Sequence, residues 1–464
     1  MDFRTASIGT LASEVQSGQR TAVSLTEAAL ARIDAVNDQV NAFVAVDRDN
    51  ALAQAAAIDE RVARGTSVGP LAGIPLGVKD LEDAAGFVTT HGSPAHADDP
   101  PASADSILVQ RLRVAGCVVI GKTNTPEFGW KADTENPVFG ATANPWSLGR
   151  SAGGSSGGSG AAIASGMVPL ATGSDGGGSI RIPSAINGLS GMKTSLGRIP
   201  SGDPGWVNLS SKGPMARRIS DVTHALDACI GPHPTDIRSL PMPRASWADS
   251  MADPEPPRRV AWSPTLGYAP VDREVRAACE EAVNKLAAAG TEVIEVDTVF
   301  DADPAGAWVS LAYTYNLRSL EAHRDTEVWN RLDPGLVSWM EWSARKLNAL
   351  DLVKADDQCH ALNQRLVEVF HDTSALLTPV LAGQTPFGRK DGTVDGEETA
   401  SWVSMTYPFN MTRSPAGTVP VGLTADGMPI GLQIIGPQHA DVAVLRLIAV
   451  MERLVGFDAV ASGV

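Results

Sequence analysis

Between Ser24 and Val36 the chain reads S-L-T-E-A-A-L-A-R-I-D-A-V, with Leu25, Ala28, Ala29 and Ile33 at the spacing of one helical face. Ser24 and Glu27 fit a capping box, so the pattern predicts that a helix starts the fold there. Further helices are predicted over residues 50–64 and 103–115, each left through a glycine, Gly65 and Gly116. Helices therefore dominate the first hundred residues. Short apolar runs at 72–78, 117–120, 168–172, 259–262, 292–296, 375–378, 417–421 and 430–435 have the length and β-branched content of buried strands. Strands alternating with helices along the whole chain predict an α/β fold, a mixed, largely parallel twisted central sheet covered by helices on both faces.

Three stretches break the pattern. Residues 140–213 are rich in Gly and Ser, yet strand and helix signals are interleaved with them, which marks an ordered site and not a linker. The polar segment 383–398 is the candidate for a mobile flap, and residues 232–257 are dense in proline, an irregular crossover. The expected organisation is one domain over 1–464, with a glycine/serine-rich core at 70–215. The half from 258 to 464 completes the sheet and the substrate channel, because neither half looks able to close a sheet alone.

Composition narrows the function. Against 53 acidic residues stand 37 Lys and Arg, a formal charge of −16, so the clustered positive charge that nucleic acid or anionic lipid requires is missing. Cys117, Cys229, Cys279 and Cys359 are too widely spaced for a metal knuckle or a disulfide framework, and a reducing cytoplasm fits them best. The first residues lack the apolar core of a signal peptide, and no run of about 18 apolar residues occurs. Neither export nor membrane insertion is expected, and the pattern calls for no metal and no cofactor.

Three motifs compete for the chemistry. Residues 116–123, G-C-V-V-I-G-K-T, match the phosphate-loop expression, but 117–120 are apolar and strand-forming and Pro126 follows where a helix should begin, leaving Lys122 a strand-end lysine. Ser190 to Lys193 match S-x-x-K, a short pattern without its companion motifs. The G-G-S-S-G at 153–157 fits a nucleophile elbow with Ser155 as nucleophile and His439 as base, the alternative of an α/β-hydrolase-type serine esterase. Against it, the residues before Gly153 read as a loop, and His439 reads as a solvated residue opening the last helix.

The remaining constellation is stronger. Lys79 is the single lysine at the end of the apolar run A-G-I-P-L-G-V; burial there disfavours the ammonium and yields an amine able to accept a proton. In D-G-G-G-S at 175–179, Gly176, Gly177 and Gly178 can bring several amides to one point, as an oxyanion hole requires. An attacking hydroxyl belongs beside that hole, so Ser179 is the expected nucleophile, with Ser155 passing its proton to Lys79.

These motifs resemble the amidase signature family. The resemblance rests on P-L-A-G-I-P-L-G-V-K-D at 70–80, G-K-T-N-T-P-E-F-G at 121–129, the Gly/Ser core, and D-G-M-P-I-G-L-Q-I-I-G-P at 426–437. It implies a mixed, twisted sheet flanked by helices and a Ser-Ser-Lys triad: base Lys79, middle Ser155 after a cis peptide bond, nucleophile Ser179. Hole amides fall on Gly176, Gly177, Gly178 and Ser179, while Asp175, Arg181 and Ser156 support the site. Thr125, Phe128, Gly154 and Ile182 are the expected substrate contacts, with entrance side chains from 125–130, 308–315, 339–342 and 384–387. Ile182 stands where the tRNA-dependent amidotransferase branch typically carries glutamine, which favours a free-standing amidase and an uncharged acyl group. Arg413 stands where the family commonly has glycine, at the border of the channel or as a surface arginine paired with an acid. The resemblance thus implies hydrolysis of a small or medium amide, with aryl amides, esters and carbamates (urethanes) as substrate classes and a homodimer as the common assembly.

Overall fold

Eleven strands, β1 (Phe43–Val46), β2 (Pro75–Lys79), β3 (Val118–Thr123), β4 (Leu170–Asp175), β5 (Gly191–Lys193), β6 (Ser211–Ala216), β7 (Arg259–Trp262), β8 (Glu292–Glu295), β9 (Leu376–Pro379), β10 (Ala416–Leu423) and β11 (Pro429–Ile435), form the two larger sheets. The computed structural model describes every residue except Met1, Asp203, Val207 and Arg389. The first sheet has the order β1-β3-β2-β4-β6 and the second β8-β7-β9-β11-β10-β5. Edge strands β5 and β6 lie against each other, so the two sheets continue one surface.

Strand β2 explains the centre. All five of its residues are buried, and it pairs parallel with β3 on one side and β4 on the other, as an unbroken apolar run covered on both faces should. The parallel pairings are these two and the β8-β7-β9 end of the second sheet; the rest are antiparallel. The sheet is mixed as expected, with its parallel strands confined to those two places. A contiguous apolar core draws on residues from Phe3 to Met451 and so joins both halves of the chain.

Because β2, β3 and β4 run the same way, their carboxyl ends meet at one edge, bringing Lys79, Thr123 and Asp175 together. Crevices at such edges are where open α/β sheets bind ligands. Helix Gly157–Ala164 is buried throughout and packs on β2, β3 and β4. Its small residues permit that approach, for a Cβ at Gly158 would stand 2.3 Å from the Asn124 nitrogen.

Local details depart from the sequence reading. The second helix spans Ala22–Val40, and its cap is Thr21, whose hydroxyl accepts from the Ser24 amide; Ser24 lies inside the first turn, so the Ser24/Glu27 box does not form. An earlier helix, Ile8–Gln16, precedes it. The 232–257 crossover is irregular apart from the turn Asp249–Met251, and links Ile219–Cys229 to β7. The segment 383–398 carries a small hairpin, Thr393–Val394 with Glu397–Glu398. The residues before Gly153 contain a short strand, Ser147–Ser151, where a loop is expected, but it belongs to neither large sheet: it pairs with Ala143–Asn144 in a two-stranded ribbon and bridges Phe387 through Arg150. All four cysteines are buried and unpaired, and no described helix is long and apolar enough to cross a membrane.

Replacing Gly158 by Ala should cost about 1–3 kcal/mol, because the buried helix must move off the sheet. Gly149→Ala, with no atom within 4 Å of the added carbon, is the control and should leave the denaturant midpoint unchanged.

Candidate active site

Lys79 ends β2 with its side chain wholly buried. Its Nζ lies 2.8 Å from Ser155 Oγ, 2.9 Å from Ser156 Oγ and 3.0 Å from Ser174 Oγ. Burial pulls its pKa down from 10.5 to about 7, against the opposing fields of Glu82 and Asp175. A neutral amine has two N–H donors and one lone pair, so three hydroxyls can all be matched: two accept and one donates. The Ser156 hydroxyl reaches the Ser174 carbonyl at 3.4 Å, which makes Ser156 an acceptor toward the amine. Ser155 is then free to donate to it.

Ser155 follows a cis peptide bond from Gly154, as the resemblance implies. Ser156 N–H donates to the Ser179 carbonyl at 3.3 Å, tying the two serine segments together. Ser155, Ser174 and Ser179 line one cavity of about 490 Å³, and Ser179 is half-buried, open to an incoming molecule.

The glycine loop between Asp175 and Ser179 is anchored by charge. Asp175 and Arg181, both fully buried, pair through Arg181 Nη2 to Oδ1 at 2.8 Å and Nε to Oδ2 at 2.9 Å. Burial would raise the Asp175 pKa, but the guanidinium and its hydrogen bonds overcome it and hold the carboxyl well below the usual range. Arg181 also donates to the Thr406 carbonyl, Gln433 Oε1 and Asn410 Oδ1. Gly178 N–H donates to Asp175 Oδ1 at 2.8 Å, so it already has an acceptor and is not available as an oxyanion donor. Among the described residues, the amides of Gly176, Gly177 and Ser179 have none.

The other expected contacts divide. Phe128 lines the cavity, stacked on His91 at 5.3 Å and edge-on to His96 at 5.7 Å. Ile182 does not: the chain turns helical at Arg181 and points Ile182 into a cluster with Ile186, Val380 and Trp402. Thr125 is buried, its hydroxyl on the Pro126 carbonyl, and Gly154 is pressed against the backbone of residues 131–133. Of the aromatic segments expected at the entrance, Trp339 stacks on Tyr313 and Phe387 lies under Arg150, away from the cavity lining. Arg413 faces Asp356 at 3.5 Å, also outside the lining.

None of the competing motifs forms a site. Residues 118–123 are strand, and Lys122, next to its end as expected, is buried beside Asp80 at 3.3 Å. The Ser190 hydroxyl donates to Glu452, while Lys193 Nζ donates to the Thr194 carbonyl. His439 is exposed and outside the cavity lining, so the elbow reading lacks its base.

Sequence reasoning missed Ser174, the third hydroxyl on the amine, although it directly precedes Asp175 at the end of β4. It also missed Glu82 and Lys212, paired at 2.9 Å on the cavity wall, and Trp206, whose indole N–H donates to Asn316. Only spatial neighbours give these away.

The sequence profile of the family described as Amidase matches residues 24–445. An acylamidase of Rhodococcus erythropolis is 37% identical over 455 residues, covering 95% of this chain and 94% of the relative. Two solved structures superpose closely. A bacterial aryl acylamidase of the amidase signature family has a TM-score of 0.91 at 28% identity, covering 97% of this chain and 96% of its own. A 6-aminohexanoate cyclic dimer hydrolase complexed with substrate has a TM-score of 0.90 at 27% identity, with full coverage of both chains.

Arg181→Met leaves the Asp175 carboxylate buried without its partner and should cost about 3–5 kcal/mol, measurable by calorimetry. Arg181→Lys should recover little of it, since one ammonium cannot serve Asp175, Thr406, Asn410 and Gln433 together.

Proposed function

This chain belongs to the Amidase family and is an amidase, and from that premise we propose that it cleaves the C–N bond of a small to medium, uncharged amide through an acyl-enzyme on Ser179. The observation that carries the reading is a buried lysine Nζ 2.8 Å from the Ser155 hydroxyl, in a cavity that also opens onto Ser179. Ser179 Oγ attacks the amide carbon, its proton passes to Ser155 Oγ, and the Ser155 proton passes to Lys79 Nζ. The carbonyl oxygen gathers negative charge opposite the Gly176, Gly177 and Ser179 amides. When the C–N bond breaks, the proton returns along the same path to the nitrogen, and the amine leaves. Water then repeats the sequence on the ester, giving the carboxylic acid and free Ser179.

Aryl amides are the first class proposed. Phe128, His91, His96 and Trp206 line the cavity; of its acids, Glu82 and Asp236 are paired with Lys212 and Arg238, and Asp83 and Arg318 complete its charged lining. A lining with three acids against three Lys and Arg carries no net charge to draw an ion, which favours an uncharged guest. Esters and carbamates present the same carbonyl and are proposed as further substrates; buried, unpaired cysteines favour a reducing, cytoplasmic setting.

Ser179→Ala should abolish turnover of an anilide, and intact-mass measurement should find the acyl group on Ser179 in the wild type. Lys79→Ala should cost roughly 10³-fold or more in kcat, amides suffering more than esters because a poor leaving amine needs the returned proton. His439→Ala should leave activity unchanged; loss of activity there would revive the esterase reading. Because the base must be neutral, kcat/KM should fall tenfold per unit as pH drops below about 7, and residual Lys79→Ala activity should lack that limb.

A further inference from the structure

The carbonyls of the glycine loop face the protein, and each has a donor. Asn410 Nδ2 donates to Asp175 O at 2.8 Å, Trp308 Nε1 to Gly176 O at 2.9 Å, Thr406 Oγ1 to Gly177 O at 2.6 Å, and Ile182 N to Gly178 O at 2.7 Å. In a trans peptide unit the C=O and the next N–H point opposite ways. Fixing a carbonyl therefore aims the following amide. The Gly177–Gly178 unit is pinned at both ends, by Thr406 on its oxygen and Asp175 on its nitrogen. The Gly176–Gly177 unit is pinned only at its oxygen, by Trp308, and its N–H has no acceptor among the described residues.

Trp308 and Thr406 are otherwise remote from the reacting atoms. Neither lines the cavity, and both belong to the C-terminal half, Trp308 on helix Ala305–Leu320. The indole of Trp308 covers Gly177 so closely that a Cβ there would meet it at 2.5 Å, and it meets Trp206 edge-on at 6.1 Å. Trp206 in turn covers Gly176, where a Cβ would meet its ring at 2.6 Å. With glycine's freedom at three successive positions, the backbone has no local reason to hold one orientation. The external donors supply it.

We propose that Trp308 and Thr406 are positioning residues for the oxyanion donors: by holding the Gly176 and Gly177 carbonyls they turn the Gly177 N–H into the cavity and keep that of Gly178 on Asp175. The proposal rests on the Ser179 reading given above. It adds that hole geometry is set by two side chains from the other half of the chain, acting through backbone carbonyls without touching substrate.

The test compares Trp308→Phe with wild type on an anilide. Phenylalanine keeps a ring over Gly177 and removes the N–H. The expected result is a fall in kcat of about tenfold or more with KM within about twofold, since a misaimed donor weakens the transition state and not ground-state binding. Affinity for a trifluoromethyl ketone analogue, whose adduct places an oxyanion in the hole, should fall by the same factor as kcat/KM. A ring needed only for packing would move neither quantity in a folded protein. Thr406→Val should act likewise, and Thr406→Ser, which retains the hydroxyl, should restore both. Should Trp308→Phe fail to fold, the Thr406 pair decides by the same readouts. Wild-type kcat and ketone affinity in a folded Trp308→Phe or Thr406→Val chain would overturn the proposal. Ser179→Ala separates the levels: activity surviving there sinks the acyl-enzyme reading itself, whereas its loss beside an unaffected Trp308→Phe sinks the positioning role alone.

Discussion

An amine with no access to water cannot hold its proton cheaply, and the arrangement around Lys79 follows from that constraint. Among the described residues no carboxylate is in hydrogen-bonding contact with the nitrogen; three hydroxyls surround it, which match the donors and lone pair of a neutral amine but bring no negative charge to an ammonium. Glu82, the larger of the two compensating fields, is itself held by Lys212. Contrast Lys122, one strand over, equally buried but set beside Asp80. Two lysines at the ends of adjacent parallel strands thus differ in company: Lys122 has a carboxylate beside the Thr89 hydroxyl and Glu82 carbonyl that it donates to, whereas Lys79 has hydroxyls.

The fold's contribution is to bring strand ends together and to lend them support from far along the chain. Strands β2 and β4 deliver Lys79, Ser174 and Asp175 to one edge, and the helix that starts at Gly157 brings Ser155 and Ser156 over it. The second sheet and its loops reach back through Gln433, Asn410 and Thr406 to Arg181. Every donor of that guanidinium named here ends on a group buried with it, so the charge is matched by geometry, not by solvent.

Much of this was legible in the sequence wherever a local pattern carried it. A lone lysine closing an apolar run, two serines each behind consecutive glycines, and an acid and an arginine flanking the second of them are signals a few residues long. Most larger strands could be read for the same reason, but β1 went unread, as did β5 and β6, of which one is three residues long and the other is interrupted by Gly213 and Pro214. Errors arose where neighbours in sequence face different ways. Ile182 stands three residues after Ser179, yet the intervening turn into a helix sends it toward Trp402. Thr21 took the cap from Ser24 because both can serve and only the preceding backbone decides. Trp206 lay out of reach, and Trp308, expected at the entrance, instead meets the Gly176 carbonyl across 132 positions, a contact that leaves no periodicity behind.

The reach of Arg181 has a temporal side. A ribosome makes this arginine 229 residues before Asn410 and 252 before Gln433. During most of translation its nitrogens can be met only by water and by Asp175, and the Gly176 and Gly177 carbonyls wait equally long for Trp308 and Thr406. The nascent chain therefore carries the loop before Ser179 without its distant partners until the segment through Gln433 has been made.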